Sequence, residues 1–137
     1  MILVDTSVWA AFFNGHRLRE VEYLDRTLAA EEDDLVTLPV IVTEVLMGFR
    51  TAHGFERARD LLVRLPVIDV SLKTHVAAAA LFRALRKKGV TVRGAVDCII
   101  AQTCLDSGAS LLTLDRDFRS IARHVPLRLA DESAADT

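Results

Sequence analysis

The chain has 137 residues, 51% of them apolar, and its 19 acidic and 17 Lys or Arg residues leave a formal net charge of −2. That length and apolar share exclude a disordered chain and suit one domain with a real core. No apolar run reaches the ~18–20 residues of a membrane span, and a near-balanced charge gives no global attraction for nucleic acid while leaving room for a local one.

Ile2-Leu3-Val4 predicts a short buried strand that runs into Asp5. Thr6 and Ser7 are good helix starters, and Val8 to Phe13 continue at helical spacing. Val8 and Phe12 share the sheet-facing side, while Trp9 and Phe13 project elsewhere, either beneath later helices or into a subunit interface. Asn14-Gly15-His16 breaks this helix, and a second one is expected over Leu18–Ala30 with Val21, Leu24 and Leu28 inward. The acid run from residue 31 to 34 reads as a solvated connection.

Leu35–Leu38 is the second predicted strand, and Pro39 suits the first turn of the helix that follows, because the N–H it lacks would be unpaired there. That helix, Val40–Arg50, carries Glu44 among apolar neighbours. A further helix over Phe55–Leu65 leads to a third strand, Pro66–Val70. Ser71 caps a long helix over Leu72–Lys88, with Val76, Ala79, Ala80, Phe82 and Leu85 on its apolar side and Gly89 at its end. Helix Ala95–Ser107 closes at Gly108, and strand Ser110–Leu114 ends at Asp115. Asp115 or Asp117 caps a last short helix through Arg123, with Asp117 the favoured cap, and Val125–Leu129 makes an edge strand, where Pro126 is tolerated. The domain is expected to span 1–129, with 130–137 a loose tail. Cys98 and Cys104 fall on different faces of one helix and should not bridge. Residues 1–7 make a poor signal peptide, so a cytoplasmic protein is expected.

Short strands alternating with helices predict an α/β fold with a mainly parallel sheet. On parallel strands, Asp5 and Asp115 after strands, and Glu44 and Asp97 early in helices, gather at one sheet edge. Each has a plainer role as cap, exposed acid or helix-dipole partner. Together they would repel one another unless a cation intervened, and an all-oxygen set suits Mg²⁺ or Mn²⁺.

At this point the chain resembles a PIN-domain ribonuclease, in particular the VapC-type toxin of a VapBC toxin–antitoxin pair. The likeness rests on Ile2-Leu3-Val4-Asp5-Thr6-Ser7, on Leu38-Pro39 leading to Glu44, on Arg93 with Asp97-Cys98-Ile99-Ile100-Ala101, and on Leu112-Thr113-Leu114-Asp115-Arg116-Asp117-Phe118. It implies a three-layer α/β/α sandwich with an about five-stranded sheet. It further implies a Mg²⁺- or Mn²⁺-dependent endoribonuclease leaving 5′-phosphate and 3′-hydroxyl ends. Asp5, Glu44, Asp97 and Asp115 match the family's acidic quartet, and Asp117 lies in the matching stretch as a further metal ligand. Thr6, Ser7 and Thr113 match hydroxyl positions beside the site. A VapB-type antitoxin and a homodimer are the implied partners, with Trp9 and Phe13 as part of a hydrophobic contact.

From Val70 to Val96 the chain has no acid, while Arg83, Arg86, Lys87, Lys88 and Arg93 fall inside that window. They are the expected phosphate-steering rim for RNA, the plainer alternative being a solvated helix end where cations meet the dipole. Two other functions compete. One is a Mg²⁺-dependent aspartate phosphotransfer domain, but Ser7 stands where a dehalogenase-type phosphatase wants a second Asp, and Leu111–Phe118 has no receiver-type Lys. The other is a non-catalytic PIN-like module that binds RNA or protein.

Overall fold

The computed structural model describes residues 1–31 and 34–130. Strand β1 (Ile2–Val4) leads into α1 (Thr6–Phe13) and α2 (Arg19–Ala29). Then come β2 (Leu35–Val36), α3 (Pro39–Met47), α4 (Ala52–Leu62) and α5 (Leu72–Lys87). They are followed by α6 (Ala95–Ser107), β3 (Ser110–Leu112) and α7 (Arg116–Ala122).

The sheet is parallel, in the order β2-β1-β3, with Ile2 opposite both Leu35 and Ser110. The third predicted strand, Pro66–Val70, shrinks to one parallel bridge, Thr37 to Val67, and the predicted edge strand Val125–Leu129 to another, Leu111 to Leu129. Both are correctly placed at the sheet's outer edges but too short to form ladders. Thr37 still donates its N–H to Pro66 and accepts from Ile68, and Leu111 donates to Arg128. Among the described residues three strands thus stand where about five were expected, and the sandwich class holds.

From β1 the chain steps leftward through β2 to Val67, then crosses back to β3 and on to Leu129. Right-handed crossovers put α1 to α4 on one face of such a sheet and α5 to α7 on the other. The helix contacts agree: α1 touches α2 and α3, α3 touches α4, and α5 packs along α6, which meets α7. Strands β1 and β3 are neighbours whose following helices leave on opposite faces. The crevice at their carboxyl ends is where open α/β sheets place ligands.

Local chemistry sets the ends. Pro39 opens α3, Ser71 caps α5 by accepting from the Thr74 N–H, and Gly108 at φ 78° turns the chain out of α6. Leu3, Val4, Leu111 and Leu112 of the sheet are fully buried in one core cluster with Trp9, Ile100 and Phe118. Trp9 is 0% exposed, stacks on Phe13 at 5.8 Å and is edge-on to Phe12, and Phe13 reaches Phe49. An aromatic cluster within the chain therefore claims the pair, and Trp9 has no surface to give a subunit contact.

Two further expectations need correcting. On α5 the buried residues are Ala78, Leu81 and Leu85, while Val76 is 64% exposed and Ala79 and Ala80 face out. Ala130, assigned to the tail, is buried; residues 131–137 and the acids at 32 and 33 lie outside the described residues. Both cysteines are free and buried, and burial pushes both thiols up, Cys104 to about 12, so neither offers a thiolate. Among the described residues, no helix is long and apolar enough to cross a membrane.

Candidate metal centre

Asp5 sits at the end of β1 with its backbone N–H donated to Leu112 on β3. Its side chain is 5% exposed. Two hydroxyls converge on one of its oxygens: Ser7 Oγ donates to Oδ2 at 2.8 Å and Thr113 Oγ1 donates to it at 2.9 Å. Each hydroxyl in turn accepts a backbone N–H from the loop after β3, Ser7 from Leu114 and Thr113 from Asp115, both at 3.0 Å. Two relays thus tie the β3–α7 loop to Asp5. Burial raises the pKa of Asp5, and the Ser7 and Thr113 donors hold it back.

Asp97 lies in the first turn of α6, whose N-cap is Gly94. Its carboxyl is pushed up to about 6, first by burial, then by the negative charges of Asp5, Asp115, Asp117 and Glu44. Asp115, not the expected Asp117, caps α7: its Oδ1 accepts from the Asp117 N–H at 2.9 Å. Asp115, in the loop after β3, holds the extended backbone a cap needs, and Asp117 is already inside the helix.

Asp97, Asp115 and Asp117 each offer a carboxylate oxygen within 4.8 Å of the others. Asp5 and Glu44 border this tight group without joining it. Glu44 is exposed on α3 and accepts from Thr6 Oγ1 at 2.8 Å, so the hydroxyl of α1 fixes it beside Asp5. Asp117 Oδ2 is buried without a hydrogen-bond partner. Arg93 Nε lies 3.4 Å from it, within ion-pair range but outside hydrogen-bond geometry. Since the Arg93 side chain is 84% exposed, that pair is a weak one. A buried carboxylate oxygen that accepts no hydrogen bond, among like charges, fits a hard, oxygen-seeking divalent cation.

Within the predicted rim, Arg83 and Arg93 line one cavity of about 530 Å³. Arg83, Arg86 and Lys87 line a cavity of about 240 Å³ near the end of α5. Arg93 instead faces the acids, and Lys88 is the C-cap of α5. Sequence reasoning passed over a second basic face, Arg116 and Arg119 on α7 with Arg123 at its C-cap. Their helical spacing beside Asp115 was the signal that could have found it.

A parallel sheet with acids at its switch point defines a known class, and the sequence model of the PIN domain matches residues 2–124. The chain belongs to the PIN domain family. It is 33% identical over 131 residues to Ribonuclease VapC11 of Mycobacterium tuberculosis, covering 95% of this chain and 98% of that one. In fold it is similar to VapBC2 from Rickettsia felis, in a structure bound to a DNA fragment from their promoter, with TM-score 0.73, 24% identity and 94% and 97% of the two chains covered. It is also similar to Mycobacterium tuberculosis VapC20, a Sarcin-Ricin loop cleaving toxin, with TM-score 0.66, 21% identity and 88% and 94% covered.

Proposed function

We propose that this protein is the ribonuclease toxin of a type II toxin–antitoxin pair, an endoribonuclease dependent on Mg²⁺ or Mn²⁺. The observation that carries the reading is the approach of Asp97, Asp115 and Asp117 within 4.8 Å from two helices that start at one sheet edge. Its kinship with VapC11 supports the ribonuclease class.

Asp97, Asp115 and Asp117 would hold the ion, with Asp5 and Glu44 completing the acidic set. When bound, such an ion lowers the pKa of water and offsets charge on the reacting phosphate. The chain's own groups prepare the site. Ser7 and Thr113 orient Asp5 by donating to it and oppose the rise in its pKa that burial causes, and Thr6 orients Glu44 in the same way. Arg93, in its weak ion pair with Asp117, offsets a little of the acidic charge. A VapB-type antitoxin, a homodimer and a cytoplasmic setting belong to the same reading.

The test is incubation of the purified protein with structured RNA, with and without Mn²⁺, beside the Asp97→Asn variant. Metal-dependent cuts leaving 5′-phosphates, lost in the variant, are expected. Cleavage that survives both EDTA and Asp97→Asn, or no cleavage with either metal, overturns the proposal.

A further inference from the structure

We propose that the arginine face of α7, rather than the end of α5, is the track on which a single-stranded RNA substrate lies as it reaches the acids. This inference rests on the endoribonuclease reading and names the surface that reading leaves open. Arg116, Arg119 and Arg123 fall at spacings of three and four, so they share one side of the helix and span about 10 Å along it. They line a cavity of about 530 Å³ together with Thr113, Leu114 and Glu20.

Three features make this a phosphate surface joined to the site. First, its inner end is Thr113, whose hydroxyl donates to Asp5 at 2.9 Å. Arg116 is the first residue of α7, directly after its capping acid Asp115, so the arginine face begins at the end of the helix that carries the acids. Second, the helix is a firm platform, since Phe118 and Ile121 are 0% exposed on its other side. Third, Glu20, the acid among the lining residues named, is 8% exposed and lies 3.8 Å from Arg19 Nε, which offsets its charge. Guanidinium forks match phosphate oxygens in pairs, which suits this face to a sugar–phosphate backbone. On the α5 side, Arg86 and Lys87 line a separate cavity, and Arg83 reaches the site only through a cavity it shares with Arg93.

Binding is measured apart from cutting, by fluorescence polarisation of a labelled single-stranded RNA in EDTA across a salt series. The proteins are wild type, Arg116→Ala/Arg123→Ala, Arg116→Lys/Arg123→Lys and Arg83→Ala/Arg86→Ala/Lys87→Ala. The α7 alanine pair should weaken binding about tenfold and flatten the log–log salt slope by about 1.4, at about 0.7 per phosphate contact on a single strand. The lysine pair should restore much of the slope, and the α5 triple variant should bind within about twofold of wild type. All the changed side chains are exposed, and matching melting curves confirm folded proteins. Wild-type binding by the α7 alanine pair overturns the proposal, as does a larger loss in the α5 variant. So does an equal loss toward duplex DNA, which marks a general polyanion surface. A protein that binds RNA through α7 but never cuts keeps this inference and removes the nuclease reading; one that cuts but binds through α5 does the reverse.

Discussion

Asp5 and Asp97 are carboxylates of one site placed in opposite surroundings. Asp5 is sealed into the sheet edge and receives two hydroxyl donors on one oxygen. Asp97 is half-buried, and its surroundings are four other acids. Both have raised pKa values, but for Asp5 the fold supplies the compensation, whereas for Asp97 it supplies more of the same charge. The difference separates a carboxylate held in place by its own protein from a group whose balance must come from outside.

The largest effect should come from removing charge on the unbalanced side. Asp97→Asn should lower metal-dependent cleavage by about 10²-fold or more, on the scale of lost transition-state electrostatics, while its metal-free melting temperature stays level or rises. A variant that melts lower and still cuts breaks the comparison. Next, Mn²⁺ at a hundredfold excess over its dissociation constant should stabilise the wild type by about 2.7 kcal/mol, and Asp97→Asn should lose most of that in calorimetry. On the balanced side, Thr113→Val removes a donor from Asp5 and an acceptor from the Asp115 N–H, at a cost of about 2 kcal/mol in urea unfolding. Asp115 belongs to both sides. Asp115→Ala should cost about 1 kcal/mol through the lost cap, whereas Asp115→Asn keeps the cap and loses cleavage.

The smallest effect is a pH trend. In the metal-free protein Asp97 titrates near 6 against an ordinary 3.8, so between those values the folded state holds more protons than the unfolded one. Stability from this group therefore falls as pH rises from about 4 to about 6, and the raised Asp5 has the same sign. Metal-free melts should show that loss, and Asp97→Asn should flatten it. A rising curve over the same range would reverse the assignment.

Much of this was legible in the residues because local rules and the global pattern agree. β1 ending at Asp5 and α6 over Ala95–Ser107 stand where the sequence puts them, since a strand–hydroxyl junction and a glycine stop are unambiguous. The phase of α5 was not legible, because four consecutive alanines give no contrast between faces. The outer strands were too short for pairing to be read from apolar runs alone. Trp9 has the composition of an interface anchor, and only the arrival of Phe49 from beyond α3 covers its partner ring. The acids were identifiable as a set, but not their division into a tight trio with two flanking members, because that depends on where helix starts fall in space.

Asp115 gives one carboxyl oxygen to the Asp117 amide and stands in the acidic trio as well, so the opening turn of α7 is mechanically linked to whatever occupies that trio. Filling it should slow hydrogen–deuterium exchange at the Asp117 amide, turning a single backbone proton into a gauge of cation loading that needs no RNA.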